Sequence, residues 1–203
     1  MGERAFILAT GNRHKLAEMR ELLPGLELEP LPPGLELPPE TGDSFEANAL
    51  IKARPAHAAT GAPTIADDSG IEAEDLGGAP GIYSARYAGP GASDEVNLAK
   101  LLREVDAAGG ERRAAYVCVL ALIDADGTEH LFEADCRGVL LDEPRGTGGF
   151  GYDPAFVPDD TGPEDRRTMA ELSAAEKHEI SHRGRAARIL AAHLGLGAAR
   201  EPR

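Results

Sequence analysis

The sequence predicts an α/β protein built on a mixed β-sheet with flanking helices. In the first half, short apolar strand candidates alternate with stretches of helical periodicity. In the second half the two longest strand candidates, 114–123 and 129–141, flank Asp124-Ala-Asp-Gly127, a hairpin turn. The chain has 203 residues, which fits one domain, or two lobes sharing a core. At that length roughly 70% of the extended chain's surface can be buried.

The elements follow in order. Ala5-Phe-Ile-Leu-Ala9 is a continuous apolar strand, followed by the polar turn Thr10-Gly11-Asn12. Leu16, Met19, Leu22 and Leu23 recur at helical spacing until Pro24-Gly25 stops the helix. Six prolines between residues 24 and 43 indicate a stiff loop or a sheet edge. Asp43 or Ser44 caps a second helix carrying Phe45, Ala49 and Leu50, which Pro55 should kink or end. Pro63-Thr-Ile-Ala66 reads as a short strand with Asp67-Asp68-Ser69-Gly70 at its C-terminal end, and residues 77–81 as a glycine-rich loop. Ser93 caps a third helix, with Asp94 and Glu95 in its first turn and Gly109-Gly110 closing it. Beyond the hairpin lie a second glycine-rich segment, 146–153, and a capping box from Ser173 to Glu176. A short helix, the junction His182-Arg183-Gly184 and a last helix with Ala186, Ile189, Leu190 and Leu194 follow, and residues 195–203 should fray.

Composition narrows the function. The 21 basic residues against 35 acidic ones give a net charge of −14, which repels a long nucleic-acid backbone but leaves room for a small anion in a local basic pocket. No run approaches the length of a membrane span, and the apolar run near the N-terminus is too short for a signal-peptide core, so a cytoplasmic location is expected. Cys118 and Cys136 match no metal-ligand spacing and read as buried free thiols in a reducing compartment. His14, His57, His130, His178 and His193 show no zinc-type spacing either.

Three polar clusters carry candidate chemistry. In Thr10-Gly11-Asn12-x-x-Lys15, a loop opening a helix offers backbone N–H groups to phosphate oxygens, two polar side chains and a lysine charge. Adjacent carboxylates at Asp67 and Asp68 call for a compensating cation, for which Mg²⁺ is suited, and in extended backbone they point opposite ways. Glu40 is a potential second ligand, or one more carboxylate of an acidic surface. In Gly148-Gly-Phe150-Gly151-Tyr152-Asp153, the glycines let a ring approach a flat ligand: Phe150 could stack on a base and Asp153 accept from its edge, or both aromatics could be core residues. Lys177, His182 and Arg183 are the basic counterpart, at a helix junction or on a solvated helix face.

Taken together, Leu8-Ala-Thr-Gly-Asn-x-x-Lys15, Glu40-Thr-Gly-x-Ser-Phe-x-x-Asn-Ala49, Ala66-Asp-Asp-Ser-Gly70, Leu76-Gly-Gly-Ala-Pro-Gly-Ile-Tyr-Ser-Ala-Arg86, Gly146-Thr-Gly-Gly-Phe-Gly-Tyr-Asp-Pro154 and Ser181-His-Arg183 resemble the inosine triphosphate pyrophosphatase family in its bacterial form. Their order and spacing run from residue 6 to about 194. The resemblance implies a single domain over 1–203, an elongated mixed sheet with helices in two lobes around a central nucleotide-binding cleft, and a homodimer. It implies Mg²⁺-dependent hydrolysis of ITP, dITP and XTP to monophosphate and pyrophosphate. It places the catalytic carboxylate at Asp68, metal or phosphate handling at Glu40, and the phosphate loop at Thr10, Gly11, Asn12 and Lys15. Ser69 falls beside the substrate, and base recognition on Phe150, Gly151, Tyr152, Asp153, Lys177, His182 and Arg183. Pro55 and Pro32-Pro33-Gly34 depart from the family pattern in shape without removing a chemical group.

Overall fold

The computed structural model describes residues 5–196. Its strands are β1 (Phe6–Leu8), β2 (Leu28–Pro30), β3 (Thr64–Ala73), β4 (Arg113–Ile123), β5 (Glu129–Leu140) and β6 (Phe156–Pro158). Its helices are α1 (Arg13–Leu22), α2 (Phe45–Thr60), α3 (Asp94–Ala108), α4 (Ala174–Ile180) and α5 (His182–His193). The strands form one mixed sheet in the order β2-β1-β3-β4-β5-β6. β1 runs parallel to both β2 and β3, while β5 and β6 are antiparallel. The β4–β5 hairpin is closed by the Asp124 N–H donating to the Thr128 carbonyl at 2.9 Å.

The chain divides into two compact units. One gathers the described residues up to Asp68, Cys118–Glu133 and those from Arg185 onward; the other holds Ser69–Val117 and Ala134–Gly184. The first buries Leu8, Met19, Leu23, Ile65, Leu120 and Leu190. The second has a core of Ile71, Leu101, Val105, Tyr152, Phe156 and Met169, among others.

Two expectations need correction. The Asp67–Gly70 segment does not lie at the end of a short strand: β3 continues through it to Ala73, almost entirely buried. A buried strand can carry two consecutive carboxylates only if each meets a cation, and both do, as described below. Second, Pro55 does not end its helix. α2 runs to Thr60, capped by the Ser44 hydroxyl at its start and by left-handed Gly61 at its end. A proline inside a helix costs roughly 3 kcal/mol. The close packing of Ala49, Ala53 and Ala56, all fully buried, offsets that cost. As expected, part of the proline-rich stretch lies at a sheet edge, where it forms β2 beside β1. Ser93, Ser173 and Glu176 cap α3 and α4 as expected. Of the residues expected to fray, 197–203 lie outside the described residues.

Candidate active site

In the first unit, the end of β1 leads into α1 through a self-capped turn. The Asn12 N–H donates to the Thr10 hydroxyl at 3.1 Å, and Asn12 Oδ1 accepts the N–H groups of His14 and Lys15 at 2.9 and 3.3 Å. Thr10 and Asn12 thus shape the turn, and the cap already engages two of the helix's leading N–H groups. Lys15 reaches back to Asp67 and forms an ion pair with its Oδ1. Asp67 Oδ2 accepts from the Cys118 thiol at 3.3 Å.

Asp68 meets a different cation. Lys52 Nζ donates to Asp68 Oδ1 at 2.6 Å and to Glu40 Oε1 at 2.7 Å. The sequence reading passed over Lys52. Its signal was positional, since it lies on the inward stripe of α2 with Phe45, Asn48, Ala49 and Ala56, where an unpaired lysine has no place. The Asp68 carboxyl is pushed up to about 6 by burial, with Lys52 opposing the shift and Glu40 adding to it. Burial works against the Lys52 charge, but the carboxylates around it, Asp68 foremost, raise its pKa above the ordinary value.

The donor set fits Mg²⁺. Asp68 and Glu40 supply hard carboxylate oxygens that already converge on one cation, the Lys52 ammonium. Mg²⁺ is commonly bound through one or two carboxylates together with substrate phosphates.

In the second unit, the glycine-rich segment folds around Asp153. This carboxylate is buried and accepts from Lys177 Nζ at 2.7 Å, the Phe150 N–H at 2.9 Å and the Tyr116 hydroxyl at 3.1 Å. Only glycine fits at 149, where φ is +69° and a Cβ would stand 2.0 Å from Asp153 Oδ2. Asp153 therefore braces this segment through three protein donors. Tyr152 is likewise a core residue, buried with its hydroxyl donating to the Ser84 carbonyl at 2.7 Å. The Gly151 N–H donates to Asp94 Oδ2 at 2.8 Å, so the acidic start of α3 holds this loop.

The remaining predicted residues converge on Phe150. Lys177 Nζ lies 5.1 Å and Arg183 Cζ 5.6 Å from the centre of its half-buried ring. Arg183 Nη2 donates to the Ser69 hydroxyl at 2.7 Å. His182 stacks flat on Tyr116, with ring centres 4.6 Å apart and planes 5° from parallel. Tyr116 thus connects Asp153 with His182. Sequence reasoning missed it because an inward tyrosine on a strand looks like any core aromatic; burial, and then Asp153, hold its phenol well above the ordinary pKa.

The first unit gathers lysines and carboxylates suited to a triphosphate and a divalent cation; the second gathers planar and cationic groups around an aromatic ring, suited to a nucleobase. These are the parts of a nucleotide-hydrolysing α/β enzyme. The profile of the Ham1 family matches residues 6–193, and the chain belongs to that family. It is 48% identical over 195 residues to a Geobacter sulfurreducens protein named dITP/XTP pyrophosphatase, covering 93% of this chain and 96% of the relative. A Symbiobacterium thermophilum protein of the same name is 47% identical over 188 residues, covering 92% of each. Among solved structures, a HAM1 protein from Coxiella burnetii superposes with a TM-score of 0.82 at 41% identity, covering 95% of this chain and 98% of the other. The Staphylococcus aureus Ham1 protein superposes at 0.83 with 38% identity and the same coverage.

Proposed function

We propose that this protein hydrolyses ITP, dITP and XTP between the α and β phosphates, giving the nucleoside monophosphate and pyrophosphate, with Mg²⁺ as cofactor. The relatives of the same name, matched over nearly their whole length, support the substrate class. The observation that carries the chemistry is Asp68. Its buried carboxylate, 2.6 Å from Lys52 Nζ and aimed with Glu40 at one cation, is placed to orient and deprotonate a water beside bound Mg²⁺.

Asp68 and Glu40 would hold Mg²⁺, which supplies charge neutralisation at the phosphate oxygens. Lys52 keeps the two carboxylates together and, like Lys15, brings positive charge to the phosphates. Thr10, Gly11 and Asn12 give the phosphate-binding turn its shape. Phe150 provides the stacking surface for the base. His182 and Arg183 supply donors to O6 of a 6-oxo purine; adenine carries an amino group there and would leave a donor unmatched. Ser69 steadies the Arg183 fork, and Lys177 with Asp153 holds the loop carrying Phe150. We further propose a cytoplasmic homodimer that needs no disulfide, a reading supported by two buried free cysteines.

The test is pyrophosphate release from a panel of eight nucleoside triphosphates with Mg²⁺, the preferred substrate then being run in ¹⁸O-labelled water. Preference for ITP, dITP and XTP, with label in the monophosphate, is expected. Label in the pyrophosphate, or equal turnover of ATP and ITP, would contradict the proposal.

A further inference from the structure

Three side chains with no part in the nucleotide chemistry above, two from one hairpin and one from the last helix, meet in the first unit. Asp124 follows β4 at the hairpin turn, His130 lies near the start of β5, and His193 is the last residue of α5. One ligand atom from each can be chosen so that all three lie within 4.8 Å of one another. We propose that Asp124, His130 and His193 form a binding site for a divalent transition-metal ion of the zinc class.

The donor chemistry is right for such an ion. Two imidazoles and a carboxylate are ligands zinc accepts, and three protein ligands leave coordination open to water. Ligand atoms on one tetrahedral zinc ion sit roughly 3.3 Å apart, given bonds of about 2.0–2.2 Å. His130 Nε2 and Asp124 Oδ2 are already 2.9 Å apart, and rotation of the exposed His193 ring can bring in the third.

The site is also framed. The Asp124 N–H to Thr128 carbonyl bond, and the Gly127 N–H to Asp124 carbonyl bond at 2.9 Å, fix the turn that presents Asp124. The His193 ring packs at 4.4 Å from His130 and 5.1 Å from Phe132, measured between ring centres, so it is held over the hairpin. His193 stands where the negative end of the α5 dipole favours a cation. A bound ion would tie the β4–β5 hairpin to the end of α5. Sequence spacing could not show this, because 63 positions separate His130 from His193 and only the fold joins them.

The competing account is a hydrogen bond plus ring packing with no affinity for metal. Calorimetric titration of the metal-free protein with Zn²⁺, and with Co²⁺ followed by its visible absorption, separates the two. The proposal expects an ion of micromolar affinity or tighter that is weakened about tenfold or more in His193→Ala and in His193→Gln and is retained in Asp68→Asn, a change that removes only an ion held by the Asp68–Glu40 pair. No binding at about 100 micromolar Zn²⁺, wild-type affinity in both His193 variants, or loss of the ion in Asp68→Asn would overturn it.

Discussion

Asp68 and Asp153 are the same residue in nearly the same company, yet the structure uses them differently. Each is buried, and each pairs with a buried lysine at 2.6 or 2.7 Å. Asp153 also accepts from a backbone N–H and a tyrosine hydroxyl, so its charge is well satisfied. Asp68 shares Lys52 with Glu40, and burial pushes its carboxyl up to about 6. A buried carboxylate met by several donors is an anchor; one whose burial outweighs its partners holds its proton more tightly.

The largest effect should come from breaking the anchor. Asp153→Ala leaves Lys177 buried without its partner and frees the Phe150 N–H, for a loss of about 3–5 kcal/mol in urea unfolding. A loss below about 1 kcal/mol would mean that Asp153 is not a brace. Next comes the reactive partner. Asp68→Asn should lower kcat for the preferred nucleotide roughly 10²-fold or more while the fold survives. A variant keeping more than a tenth of the activity would remove Asp68 from the chemistry.

Arg183→Ala tests the base end. Losing the guanidinium fork should cost ITP roughly 1–3 kcal/mol, about 5- to 150-fold in kcat/KM, with a smaller loss for ATP. An unchanged ITP/ATP ratio would assign Arg183 to phosphate or to packing alone. The smallest effect is expected for Tyr116→Phe, which removes one donor to Asp153 but keeps the ring under His182. It should cost about 1 kcal/mol of stability and leave nucleotide preference intact. A preference shifted as far as in Arg183→Ala would make Tyr116 a direct determinant of specificity.

Much of this was legible in the chain. The caps Ser44, Ser93 and Ser173, the hairpin at 124–128 and the strand–helix alternation are local signals, and the structure repeats them. The motifs pointed to Asp68, Lys15, Phe150 and Arg183 because polar residues beside apolar strands stand out. What escaped depends on contacts far apart in sequence. Asp67-Asp68-Ser69-Gly70 reads as the end of a short strand until Lys15, Lys52 and Arg183 arrive to serve a buried one. The contacts of Lys52 and Asp153 depend on the fold in the same way. Pro55 misled in the other direction, since a local rule was outweighed by the packing of α2.

The central claim is that Asp68 is ionised at a cost, and the pH dependence of stability reads that cost most directly. A carboxyl held at about 6 in the fold, against about 3.9 in the unfolded chain, binds its proton more tightly when folded. Its contribution to stability is therefore fully present below about pH 4 and lost as pH rises through about 6. Thermal unfolding of wild type and Asp68→Asn should be compared in metal-free buffer from pH 4 to pH 8. The variant should gain on the wild type as pH rises and be at least as stable at pH 7.5, by up to about 3 kcal/mol. A variant that instead falls progressively below the wild type as pH rises would show that the Asp68 charge stabilises the fold, and would contradict the account.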